Sequence, residues 1–130
     1  MLNSPELICD SIRIDVETHY ISEQSVPEEE RFVFSYTINI KNKGQRSAKL
    51  MSRNWLITDA NGDTSEVEGE GVVGQQPEIA PASSFTYTSG CILKTPIGTM
   101  QGFYHMQDEQ NKSFDVEIPV FRLAIPNILN

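Results

Sequence analysis

Apolar residues occupy every second position from Phe32 to Ile40: Phe32, Phe34, Tyr36, Ile38 and Ile40 alternate with Val33, Ser35, Thr37 and Asn39. Successive side chains of an extended chain point to opposite faces, whereas a helix gathers its apolar positions three and four residues apart. The run therefore predicts a strand with one face on a core, ending at a turn over Asn42-Lys43-Gly44. The same period recurs at Ile12, Ile14 and Val16 between Arg13, Asp15 and Glu17, and again at Phe114, Val116, Ile118 and Val120.

Punctuation between these runs fixes how they connect. Pro27 with Glu28, Glu29 and Glu30 favours a solvated loop. Ala48 to Asp59 reads as a strand, Ala60-Asn61-Gly62-Asp63 supplies a tight hairpin turn, and a return strand follows through Val67. Pro77 and Pro81 argue for an ordered loop from Gly74 to Ala82, after which Ser84 to Ser89 resumes a strand. Met100 to Gln107 and the run at Phe114 form a second hairpin about a polar turn at Asp108 to Lys112. Some seven short strands without βα alternation predict an all-β chain of two packed antiparallel sheets, with a closed barrel as the alternative.

The chain's 130 residues suit one domain, with ends at about 1–8 and 126–130 expected to be flexible. A net charge of −8 repels phosphate backbones and anionic lipid, so nucleic acid and membrane are not the expected partners. Neither a signal-like start nor a long apolar run is present, and the cytoplasm is the expected compartment. Cys9 and Cys91 match no zinc or redox spacing and are expected as reduced, buried thiols, with a disulfide between them as the alternative.

Several stretches taken together resemble the ApaG family: Ser52-Arg53-Asn54-Trp55, Gly69-Glu70-Gly71-Val72-Val73-Gly74-Gln75-Gln76-Pro77 and Phe85-Thr86-Tyr87-Thr88-Ser89-Gly90. Thr95-Pro96, Gly98-Thr99-Met100 and Gly102-Phe103-Tyr104 continue the match, so that the pieces span about half the chain in order. The resemblance implies a sandwich of immunoglobulin or fibronectin type III kind. It also implies an association with cobalt and magnesium efflux in bacteria, while related eukaryotic domains sit in F-box and polymerase-interacting proteins. Two departures limit what carries over: Asn54 stands where the family usually has histidine, and Gln75 where it often has an acidic residue.

Candidate chemistry is sparse. Gly69, Gly71 and Gly74 spell a dinucleotide fingerprint, but the prolines remove the helix whose N-terminus would hold a pyrophosphate. An anion or nucleotide at a bare amide nest stays as an alternative function. Glu66, Glu68 and Glu70 share a strand face at roughly 6.5–7 Å spacing, wide for a compact ion site. They suit either weak Mg²⁺ or Co²⁺ contact or a charged edge strand that resists aggregation. His19, His105, Cys9 and Cys91 show no metal-ligand spacing, and no nucleophile elbow or base-orienter set points to an enzyme. Arg53 and Trp55 fit an interaction surface or a core tryptophan with an arginine stem across it.

The expectation is thus a non-catalytic binding module without a resident cofactor, whose partner is another protein. Its surface is expected at the loop carrying Gly69, Gly71, Val72, Val73, Gly74, Gln76 and Pro77, with an edge-strand homodimer as a further option.

Overall fold

The computed structural model describes residues 11–127. The expectations for Cys9 and for residues 1–8 and 128–130 lie outside them. Eight strands follow in order: β1 (Ile12–Tyr20), β2 (Phe32–Asn42), β3 (Ala48–Asp59), β4 (Thr64–Glu70), β5 (Glu78–Ile79), β6 (Ser84–Leu93), β7 (Ile97–Asp108) and β8 (Ser113–Ala124). Two 3₁₀ turns, Ser22–Gln24 and Pro27–Glu29, interrupt the strands, the second within the loop expected about Pro27.

One sheet has the order β1-β2-β6 and the other β4-β3-β7-β8, with β5 also pairing β3. Every pairing is antiparallel. Among the described residues each sheet ends in an edge strand at either side and the two do not close on one another, so the chain is an all-β sandwich and not the closed barrel. The alternating residues Phe34, Ile38 and Ile40 of β2 are at most 1% exposed and face Leu50, Tyr104, Met106, Ile118 and Leu123 across the core.

Two irregularities decide which residues of the second sheet look inward. Leu50 pairs with Met106 but Ser52 with His105, so Met51 is an extra residue in β3. The inward set accordingly switches from Ala48 and Leu50 to Trp55. Likewise Met100 pairs with Phe121 and Gly102 with Ile118, which places a bulge at Pro119 and Val120 of the edge strand β8. Proline costs no ladder bond there. Val120, which simple alternation puts in the core, is 59% exposed because the bulge turns it outward.

Three further differences have local causes. The expected turn at Asn42 is instead the end of β2. Its buried side chain donates to the carbonyls of Arg46 and Ile79 and accepts from the Gly44 amide, so it tethers the β2–β3 connection to β5. The expected loop from Gly74 to Ala82 contains β5, which prolongs the edge of β3 beyond β4. The turn at Asp108 is built on a carboxylate that accepts the Lys112 and Gln110 amides, and those bonds hold it below the usual carboxylate range.

Candidate functional site

The glycine-rich loop lies where β3 bulges. β4 and β5 occupy the same edge of β3, and the chain between them bypasses Met51. The Met51 carbonyl accepts from the Gly71 amide and from Gln76 Nε2, both at 2.9 Å, while the Pro77 carbonyl accepts from the Leu50 amide. Arg53 closes the base: its Nη1 donates to the Gly71 carbonyl at 2.8 Å and to the Glu70 carbonyl at 3.2 Å. The bare Cα of Gly69 leaves room for that guanidinium.

At the tip, Val72 and Gln75 exchange two backbone hydrogen bonds of 2.8 and 2.9 Å around Val73 and Gly74, whose φ angles are +42° and +80°. Positive φ at both central residues is the mark of a type I′ hairpin turn. Val72 is 1% exposed and anchors the turn in the core, whereas Val73 is 50% exposed. Gly71 has no alternative: at φ +60° a Cβ would overlap the Gln75 carbonyl oxygen. The amides of Gly71, Val72 and Gln75 already donate to carbonyls, so the fingerprint glycines serve a self-satisfied turn and no helix follows them.

Trp55 is 4% exposed. Its ring meets Tyr36, Phe121 and Tyr104 edge-on at 5.5, 5.8 and 6.4 Å, the packing of a core tryptophan. Arg53 braces the loop and leaves the indole to its aromatic neighbours. Beside them the Tyr87 and Tyr104 hydroxyls lie 2.6 Å apart. Burial pushes both tyrosines well above the ordinary phenol range and raises Tyr36 as well; the Arg53 charge opposes the rise in each. Cys91 carries a free, buried thiol, and burial lifts it to about 11.

Glu66, Glu68 and Glu70 line the outer face of β4, which is an edge strand. Among the described residues no three His, Cys, Asp or Glu side chains come together as a metal-binding group. His19 is exposed near Glu17.

His105, by contrast, belongs to a chain of contacts across four strands. Its Nδ1 lies 2.6 Å from Asp115 Oδ1 and its Nε2 lies 3.2 Å from Asn54 Oδ1; Asn54 Nδ2 in turn donates to Glu68 Oε2. Glu68 fixes the Asn54 amide with its oxygen toward the imidazole. Phe103 stands edge-on to the imidazole at 4.9 Å. Sequence spacing alone did not single out Asn54, Phe103 or Asp115. The signal was available in the second hairpin, whose register sets His105 opposite Asp115.

Comparison with known proteins agrees with this architecture. The family model described as the ApaG domain matches residues 22–108. Protein ApaG of Pectobacterium carotovorum subsp. carotovorum is 53% identical over 130 residues and all of both chains. Protein ApaG of Photobacterium profundum is 58% identical over 128 residues, 98% of each chain. An X-ray structure of a Northeast Structural Genomics Consortium target superposes with a TM-score of 0.91 at 52% identity, covering 95% of this chain and 94% of that one. With a family model matched over more than half of its length and relatives more than 50% identical along nearly all of it, the chain belongs to the ApaG domain family.

Proposed function

We propose that the chain is a non-catalytic, cytoplasmic binding module that meets another protein through the loop from Gly69 to Pro77. Val73 carries this reading. A β-branched residue at positive φ costs on the order of 1–3 kcal/mol, and asparagine or glycine would form the same turn without that cost. The strain holds an apolar side chain half-exposed on a base clamped by Met51 and Arg53. A preorganised apolar tip loses little freedom on docking, which suits recognition by a protein pocket. Among the described residues the His105 ring nitrogens are hydrogen-bonded to the oxygens of Asp115 and Asn54, not to a hydroxyl or thiol, which supports binding over nucleophilic catalysis. In this account the link to cobalt and magnesium efflux is indirect, through the protein partner.

Two variants at the tip separate stability from recognition. Val73→Asn creates an Asn-Gly type I′ turn and is expected to raise the unfolding free energy by about 1 kcal/mol, a few degrees in Tm. Val73→Asp is expected to reduce recovery of the partner from extract of the source cells at least ~10-fold, the loss of one apolar anchor. Ile92→Asp, which alters an equally exposed apolar residue on β6, is expected to leave recovery unchanged. Recovery that survives Val73→Asp but fails in Ile92→Asp would move the binding surface to the other sheet.

A further inference from the structure

We propose that the outer face of β3, β7 and β8 holds a second binding site, which takes an arginine side chain from a partner protein. The site does not depend on the glycine loop and stands on different residues. A cavity of about 470 Å³ opens on this face, lined by Leu56 of β3, Gln101 and Phe103 of β7, and Asp115, Glu117 and Ile118 of β8. That volume lies within the roughly 300–1,000 Å³ of small-ligand pockets and exceeds what one side chain needs.

The lining has the chemistry of a guanidinium receptor. Phe103 pairs with Glu117 across the β7–β8 ladder and His105 with Asp115, so an aromatic ring and two carboxylates adjoin on one face. A guanidinium offers planar paired donors to carboxylates and stacks its apolar faces on an aromatic ring, which an ammonium does less well. Asp115 is oriented by its 2.6 Å contact with His105, and the chain through Asn54 to Glu68 ties that orientation to β4. Glu117 makes no ion pair among the described residues. No lysine or arginine lines the cavity, and Glu66, Glu68 and Glu70 extend the negative field along the neighbouring edge. A second copy of this acidic face would be repelled, so charge complementarity favours a basic segment of a different protein.

The test is an amide NMR titration of the ¹⁵N-labelled full chain with a blocked pentapeptide carrying one central arginine. The same peptide with citrulline, the neutral isostere, is run beside it. The expected result is shifts centred on 101–105 and 115–118, with the citrulline peptide at least ~10-fold weaker, as a charge-assisted contact requires. The exposed double variant D115N/E117Q, its fold checked by unchanged core resonances, is expected to lose those shifts. The single variant E117Q, which leaves the His105 contacts intact, is expected to weaken them. Equal shifts from the citrulline peptide would overturn the proposal, as would shifts scattered over the acidic surface that survive D115N/E117Q. An absence of localised shifts at millimolar peptide would also overturn it.

Discussion

Gly102→Ala is expected to lower the unfolding free energy by about 3 kcal/mol or more, the upper range of overpacking costs, or to prevent soluble folded protein from accumulating. One methyl group does this because the β3 backbone lies directly against the Cα of Gly102. A Cβ on residue 102 would overlap the Asn54 carbonyl oxygen and stand 3.1 Å from the Trp55 Cα. Backbone atoms cannot swing aside as a side chain end does, so the two strands must part. They are the central pair of the second sheet, and their separation would disturb both Trp55 beneath and the Asn54–His105 contact above. Gly90→Ala is the control, since its Cβ would meet only the Phe34 carbonyl at 3.4 Å, an ordinary contact. A change within about 1 kcal/mol, in the stabilising direction, is expected there. Urea unfolding of the two variants checks the contrast, and equal midpoints would contradict the close approach of β3 and β7.

Stability is also expected to fall steeply between pH 9 and pH 11. Cys91 titrates near 9 when unfolded and at about 11 in the fold, because burial disfavours the thiolate. Below pH 9 both states hold the proton and the thiol contributes no pH dependence. Between the two values the unfolded chain has released its proton and the folded chain has not, so rising pH favours unfolding. Two pH units of that difference amount to roughly 3 kcal/mol. Tyr36, Tyr87 and Tyr104, each raised by burial, extend the loss above about pH 10. Cys91→Ala is expected to flatten the curve between pH 9 and 10 and leave the tyrosine part. Denaturant midpoints measured from pH 7 to 11 test this, and a flat profile in the unmodified chain would refute it.

Much of this core was legible in the sequence because period two is a local signal. Phe34, Tyr36, Ile38 and Ile40 needed nothing but their spacing to be placed inside. The bulges were not legible, because an extra residue is defined only against a partner strand: Met51 looks ordinary until His105 and Met106 are set beside it. The missed bulge at Pro119 sent Val120 to the wrong face for the same reason. The glycine loop stood out as a segment, but its anchorage did not. The carbonyl of Met51 and the guanidinium of Arg53 are brought to Gly71 by strand pairing. The outer-face chain of Glu68, Asn54, His105 and Asp115 was hidden more deeply: the two hairpins bring Glu68 to Asn54 and Asp115 to His105, but only the long-range pairing of β3 with β7 joins the two halves.

The central claim, that the Gly69–Pro77 loop is where the module meets its partner, is tested most directly by photocrosslinking in the source cells. A photoreactive amino acid is placed at residue 73, and at residue 92 as the equally exposed comparison. The account predicts a discrete adduct with another protein from position 73 and none from position 92. No adduct at 73, or the same adduct from both positions, would contradict it.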